Sequence, residues 1–137
     1  MKIFIDTSSL CKRYLEEEGS SRIEKLFGEI TEVLVSPVTW IEFNSAVSKR
    51  LRNHSLTLQT VSWTLSEAKK DFEFFYRVAW NVELEAKAAK LGAEHPLSTL
   101  DAIQLASGIL SKADIFVTSD QRLAREARKL IRKVEYI

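Results

Sequence analysis

The chain has 137 residues, which fits one compact domain and is enough to bury an apolar core without disulfides or a structural metal. Hydrophobic residues make up 45% and charged residues 28%, and the formal net charge is only +1, so any attraction for a polyanion must come from local basic patches. The single cysteine, Cys11, excludes an internal disulfide and is expected to be a small core residue.

Short apolar runs alternate with helix-like segments along the whole chain. In chain order the sequence predicts a strand at 2–5, a helix at 8–18, a helix from 21, a strand at 33–35, a helix from 36, a helix from about 58 into the low seventies, a strand at 75–79, a helix at 82–91, a helix from about 100, a strand at 115–117, a helix after 120 and a strand at 134–137. Residues 74–80 also fit a helix, because aromatic and β-branched residues are mixed there, and we favour the strand.

The helix boundaries in this scheme depend on local cap signals. The residues expected to begin or end helices are Gly19 as a stop, Ser21 with Glu24 as a capping box, Ser36 with Pro37 as a cap and first turn, Asn81 as a cap, Gly92 as a stop and Thr99 as a cap.

Strands that are almost wholly apolar and alternate with helices are typical of a parallel sheet covered on both faces. The predicted fold is therefore α/β, a three-layer α/β/α sandwich with a parallel sheet of about four to five strands. No linker, repeat, signal peptide or membrane span is expected. We expect a single cytoplasmic domain over residues 1–137.

Four acids fall where such a fold places functional groups. Asp6 follows the first predicted strand and Asp120 lies just beyond the strand at 115–117, whereas Glu42 and Asp101 come early in two helices. Helices that follow strands begin at the carboxyl edge of the sheet, so all four carboxylates are expected to converge on that edge. Each acid singly could be a turn residue, a helix cap or a partner of the helix dipole. Glu42 is harder to explain in that way, because its neighbours on the helix look buried.

Converging carboxylates repel one another and need a compensating cation. Oxygen ligands without cysteine or histidine suit Mg²⁺ or Mn²⁺. Such ions activate water and neutralise charge on a phosphodiester. The pattern therefore indicates metal-assisted phosphoryl chemistry.

Four segments resemble the motifs of PIN-domain proteins, and of VapC-type toxins in particular. They occur in the family's order and span nearly the whole chain. The segments are Ile5-Asp6-Thr7-Ser8-Ser9-Leu10, Trp40-Ile41-Glu42-Phe43, Thr99-Leu100-Asp101-Ala102-Ile103-Gln104-Leu105-Ala106 and Phe116-Val117-Thr118-Ser119-Asp120-Gln121-Arg122-Leu123.

The resemblance implies a Mg²⁺- or Mn²⁺-dependent endoribonuclease that acts as a toxin, forms a homodimer and is inhibited by a cognate antitoxin. By the same resemblance Asp6 and Asp101 would be the principal metal ligands, and Asp120 would complete the metal site directly or through water. Glu42 would position or deprotonate the attacking water. The hydroxyls of Ser8 and Thr118 would orient the carboxylates, a kind of support that metal sites commonly have.

One departure from the family pattern bears on the number of metal ions. Several relatives carry a further acid or asparagine close to the last motif, whereas Gln121, Arg122 and Leu123 follow Asp120 here. One ion and two ions therefore both stay open. Arg122, on the helix that starts at the site, is expected to contact RNA phosphates, and Arg13 near the first motif is a second candidate.

Three other functions are alternatives to this one. A phosphatase with Asp6 as its nucleophile needs a second acid two residues on, where Ser8 stands. A receiver domain needs an acid pair near the first strand and a lysine after the last strands, and neither is convincing here. A catalytically silent PIN-like module that binds RNA or assists assembly is the remaining alternative.

Overall fold

A computed structural model describes all residues, Met1–Ile137. The strands are β1 Lys2–Ile5, β2 Glu32–Val35, β3 Tyr76–Arg77, β4 Ile115–Thr118 and β5 Val134–Tyr136. The helices are α1 Thr7–Tyr14, α2 Ser20–Phe27, α3 Thr39–Arg52, α4 Leu58–Phe72, α5 Val82–Glu94, α6 Thr99–Ser111 and α7 Gln121–Ala127. None of these helices is both long and apolar enough to span a lipid bilayer.

All five strands are parallel, in the spatial order β3-β2-β1-β4-β5. The central strand β1 pairs with β2 on one side, Phe4 opposite Leu34, and with β4 on the other, Phe4 opposite Phe116. The chain therefore builds the sheet in one direction from β1 to β3 and then in the other through β4 and β5. In such sheets a crevice opens at the carboxyl ends of the strands where the direction changes, here between β1 and β4.

Alternating side chains of the strands give the sheet two apolar faces. One face, with Phe4 stacked on Phe116 at 5.3 Å between ring centroids, packs against α5, α6 and α7. The opposite face carries Ile3 and Ile5 and packs against α1, α2 and α4. This arrangement confirms the predicted three-layer α/β/α sandwich with a parallel sheet.

A third apolar cluster lies between α1, α3 and α4, away from the sheet. It contains Cys11, which is 8% exposed, together with Phe43 and Val47. The ring of Trp40 stacks on Phe43 at 6.2 Å and meets Phe72 edge-on at 4.8 Å. Cys11 is thus a core residue, as expected, and burial raises the pKa of its thiol to about 12.

The predicted strand at 75–79 is right in type but too long. The observed strand is the two residues Tyr76 and Arg77, which pair with Leu34 and Val35 at the edge of the sheet. A strand at the edge pairs along one side only, so it can end as soon as its single neighbour ends.

Several predicted helix caps are displaced by one or more residues. The Ser21 capping box is wrong, because α2 starts at Ser20 after Gly19, whose φ of 93° is left-handed. The stop at Gly19 is wrong, since α1 already ends at Tyr14.

Of the remaining cap predictions, the one at Asn81 is right, and those at Ser36, Gly92 and Thr99 are wrong. Ser36 accepts a hydrogen bond from the backbone N–H of Val38, but α3 begins later, at Thr39. Asn81 caps α5 as predicted. That helix continues past Gly92, and Ser98 rather than Thr99 caps α6.

Candidate active site

The crevice between β1 and β4 opens into a pocket of about 280 Å³ that is lined mostly by polar residues. Its wall contains the four acids that the sequence analysis selected, each from a different part of the chain. The lining residues are Asp6, Thr7, Ser8, Cys11, Glu42, Ala46, Asp101, Gln104 and Asp120. The predicted convergence of the four carboxylates on the carboxyl edge of the sheet is therefore confirmed.

Asp6 lies deepest among these acids, with 3% of its surface exposed. It caps α1 by accepting the backbone N–H of Ser9 at 3.0 Å. The Ser8 hydroxyl donates to both of its oxygens at 2.8 and 2.9 Å, and the Thr118 hydroxyl donates at 2.6 Å. Burial raises the pKa of Asp6 to about 6, the nearby charge of Asp101 adds to that rise, and these hydrogen bonds oppose it.

Ser8 and Thr118 make the contacts expected of hydroxyls that orient a carboxylate. Both hydroxyls also accept a backbone hydrogen bond beyond the end of β4, and that of Ser8 joins α1 to this segment. Ser8 Oγ accepts the backbone N–H of Ser119 at 3.0 Å, and Thr118 Oγ1 accepts that of Asp120 at 3.1 Å. The position of Asp6 is thereby fixed by the strand that lies next to its own.

Asp101 and Asp120 lie at the starts of α6 and α7. Asp101 is in the first turn of α6 and is partly exposed. Burial and the nearby charge of Asp120 raise its pKa, whereas the hydrogen bond from Ser98 and the charge of Arg122 lower it. Asp120 caps α7 by accepting the backbone N–H of Leu123 at 2.9 Å. A neighbouring carboxylate that raises the pKa of Asp101 marks a place where an added cation would be favoured.

The carboxylate and hydroxyl oxygens of this lining fit a hard divalent cation such as Mg²⁺ or Mn²⁺. No three acid, histidine or cysteine side chains are arranged closely enough to hold one ion between them. Mg²⁺ is commonly bound through one or two carboxylates and keeps several waters, so this looser arrangement is compatible with it. Burial disfavours the ionised form of Asp6 and raises its pKa, and a bound cation would offset that cost.

Glu42 reaches the pocket from α3 and is held on one side only. Its Oε1 accepts a hydrogen bond from Thr7 Oγ1 at 3.2 Å and another from Gln104 Nε2 at 2.7 Å. Gln104 was not among the residues selected from the sequence. The available signal was a polar side chain in the otherwise apolar stretch Ala102–Ala106 of α6.

The two arginines selected from the sequence lie in different surroundings. Arg122 is exposed on α7, and its charge lowers the pKa of Asp101. Arg13 instead pairs with Asp71 at 3.2 Å and lies over the ring of Phe27 at 4.2 Å. The structure thus gives Arg13 a packing role between helices, and it does not line the acid pocket.

The raised pKa of Asp6 predicts a pH dependence of stability in the metal-free protein. Its folded pKa of about 6 lies above the ordinary 3.8, so the folded state binds the proton more tightly than the unfolded state does. The stabilisation that this proton gives is complete below about pH 4 and is lost as the pH rises through 6. Wild type should therefore gain on the order of 2–3 kcal/mol relative to Asp6→Asn between pH 7 and pH 4.

Urea unfolding in EDTA across this pH range measures the difference between the two proteins. The comparison isolates Asp6, because other titrating groups contribute equally to both. Parallel stability profiles for wild type and Asp6→Asn would contradict the prediction.

The model of the PIN domain family matches residues 3–129 of the chain. No curated protein matches this chain. Among solved structures, VapBC2 from Rickettsia felis bound to a promoter DNA fragment is similar, with a TM-score of 0.72 and 13% identity over 100% of this chain and 99% of that one. VapC20 of Mycobacterium tuberculosis, a Sarcin-Ricin loop cleaving toxin, gives a TM-score of 0.71 and 16% identity over 90% and 93%. A toxin-antitoxin complex from Klebsiella pneumoniae gives 0.65 and 17% over 89% and 90%.

Proposed function

The chain belongs to the PIN domain family, and we propose that it is a divalent-metal-dependent endoribonuclease of the VapC type, acting as the toxin of a toxin–antitoxin pair. The observation that carries the proposal is the gathering of Asp6, Glu42, Asp101 and Asp120 from four separate elements into one polar pocket. Acids at close range destabilise a fold unless they serve a bound cation, so their joint placement favours a site over four separate caps.

In the proposed reaction, water attacks the phosphorus of an RNA phosphodiester, and the P–O3′ bond breaks. Asp6 and Asp101 would hold one or two Mg²⁺ or Mn²⁺ ions, and Asp120 would complete the site directly or through water. A bound ion of this kind supplies positive charge to the phosphate oxygens and lowers the pKa of a bound water. Glu42 orients the attacking water and accepts its proton, and the departing O3′ takes up a proton from solvent. The products carry a 5′-phosphate and a 3′-hydroxyl, as the resemblance to the family implies.

Ser8 and Thr118 keep the Asp6 carboxylate in place during this reaction. Their hydroxyls donate to it from the two sides of the β1–β4 crevice. Preorganised ligands of this kind limit the reorganisation that the site needs when charge develops on the phosphate.

The proposed partners are a cognate antitoxin, a second copy of the chain and the RNA. The proposed location is the cytoplasm. The similar structures include a toxin-antitoxin complex and VapBC2, which supports the antitoxin. The chain also exposes large apolar side chains that a partner protein would cover. The most exposed of them are Phe74 at 85%, Val82 at 82%, Leu58 at 67%, Ile41 at 66%, Trp63 at 61%, Tyr76 at 55% and Trp80 at 54%.

Incubation of total cellular RNA with purified protein tests the function. Wild type with Mg²⁺ or Mn²⁺ is expected to cut, whereas wild type in EDTA and Asp101→Asn with metal are not. Cutting by wild type alone would support the nuclease and make sequencing of the new ends the next step. A folded, antitoxin-free sample that binds RNA but cuts none with either metal would favour the silent RNA-binding module.

Arg122→Ala is expected to weaken RNA binding roughly 3- to 10-fold and to lower the slope of log affinity against log salt by about 1, because one phosphate contact is lost. Fluorescence anisotropy of a short labelled RNA, measured in EDTA at several salt concentrations, gives both quantities. Lys90→Ala, an exposed cation on α5, is the matched control. Equal slopes for wild type and Arg122→Ala would remove this arginine from the RNA path.

A further inference from the structure

Gln104 is a polar residue buried in the middle of α6, with 2% of its surface exposed. It lies three positions after Asp101, so both face the same side of the helix. Its side chain lines the acid pocket and reaches from α6 to α1 and α3. A buried amide of this kind needs partners for its carbonyl oxygen and for both of its N–H groups.

The amide nitrogen of Gln104 has more acceptors than it can use. Glu42 Oε1 lies at 2.7 Å, Thr7 Oγ1 at 3.0 Å and Thr39 Oγ1 at 3.3 Å from Nε2. Two hydrogens are available for these three oxygens, and the shortest contact is the one to the carboxylate. The carbonyl oxygen of Gln104, by contrast, is buried without a partner.

The contact with Glu42 decides which way the amide faces. If the nitrogen and oxygen exchanged places, the carbonyl oxygen would lie 2.7 Å from a carboxylate oxygen and the two would repel each other. The observed orientation therefore holds Glu42 at the expense of an unsatisfied oxygen. Buried polar groups left unsatisfied are rare and costly, so each one calls for an explanation.

The two oxygens of Glu42 are treated differently by this arrangement. Oε1 accepts from both Thr7 and Gln104, whereas Oε2 accepts no hydrogen bond from the protein. A carboxylate anchored through one oxygen presents the other in a fixed direction to the pocket. That is the geometry needed by a group that orients a water molecule.

We propose that Gln104 is a positioning residue that anchors Glu42 through Oε1, so that Oε2 faces the attacking water. The inference rests on the proposed nuclease function for its kinetic consequence, but the hydrogen bond itself can be observed without any reaction. Gln104 acts on the water through Glu42 and does not bind the metal.

The hydrogen bond can be tested by NMR on protein labelled with ¹⁵N in glutamine side chains. The chain has three glutamines, and Gln59 and Gln121 are exposed. One Gln104 amide hydrogen is expected downfield of those of the exposed pair and to exchange slowly with water, and Glu42→Ala should return it upfield. The proposal would be overturned if the Gln104 signal resembled those of Gln59 and Gln121, or if Glu42→Ala left it unchanged. This test needs no known RNA substrate.

Kinetics on the RNA that wild type cuts then test the role. Gln104→Met, which keeps the length and loses the donor, should lower kcat by about 10- to 100-fold while KM and Mn²⁺ affinity stay within about 2-fold. In the Glu42→Gln background the same change should have no further effect, because the residue acts through Glu42. Multiplicative losses in the double variant, or a loss of Mn²⁺ affinity by calorimetry, would overturn the proposal.

Ser107→Ala is the matched control for disturbance of α6. Ser107 is also buried on this helix, but its hydroxyl donates to the backbone carbonyl of Ile103 and it does not line the pocket. The kcat of Ser107→Ala should equal that of wild type. A fall as large as that of Gln104→Met would show that α6 is generally sensitive and would count against a specific role.

Discussion

Asp6→Asn is expected to lower the rate of RNA cleavage by about 1000-fold while leaving the fold intact. The substitution removes a negative charge from the centre of the proposed metal site, and the neutral amide is a much poorer ligand for Mg²⁺. Asparagine caps helices as well as aspartate does, so the hydrogen bond from the backbone of Ser9 can persist. The same loss of buried charge should make the metal-free protein more stable at pH 7.

Cleavage rates at saturating Mg²⁺ and thermal unfolding in EDTA measure the two effects of Asp6→Asn separately. Glu83→Gln, which neutralises an exposed acid at the start of α5, should change neither. A variant that cuts RNA at the wild-type rate would remove Asp6 from the site. Slower cleavage together with a lower melting temperature would indicate damage to the fold instead.

Gly108→Ala is expected to destabilise the protein by about 2–4 kcal/mol. Gly108 lies in α6 where the helix crosses the sheet, and an added Cβ would overlap the ring of Phe116 and lie 3.3 Å from that of Phe4. Those two rings stack on each other across β1 and β4, so neither can move away without leaving a gap in the core. The helix must therefore shift, and with it Asp101 and Gln104.

Urea unfolding of Gly108→Ala beside Gly92→Ala tests this reason. Gly92 is also inside a helix, but a Cβ there would meet Ala102 at an ordinary 3.7 Å. Alanine favours a helix over glycine, so Gly92→Ala should be stabilising by about 0.5–1 kcal/mol. Opposite signs for the two variants are expected. A Gly108→Ala protein as stable as wild type would mean that helix and sheet are less closely packed than described.

The fold was predictable because its strands are short, apolar and regularly separated by helices. Ile115–Val117 and Val33–Val35 have no polar residue, which indicates burial on both faces and hence a parallel sheet. The four acids were predictable for the same reason: once strands and helix starts are placed, the carboxyl edge of the sheet is fixed. Asp120 is the clearest case, since it lies just beyond β4 and caps α7.

What the sequence did not show depends on contacts between distant residues. The role of Gln104 depends on its hydrogen bonds with Glu42 and Thr7, which lie 62 and 97 positions away. Arg13 has the same basic side chain as Arg122, but it forms an ion pair with Asp71 on another helix. Local cap rules failed at Ser21 because Gly19, in a left-handed conformation, starts the helix one residue earlier.

The position of β1 between β2 and β4 has a consequence for biosynthesis. Asp6 depends on the hydroxyl of Thr118, 112 residues further along the chain. A chain that is still emerging from the ribosome carries Asp6 and Glu42 but neither Asp101, Asp120 nor the β4 edge that completes the crevice. Since pairing between such distant strands forms late, the pocket can assemble only after β4 and the start of α7 have been translated. A nuclease with this topology would stay inactive until those residues have left the ribosome.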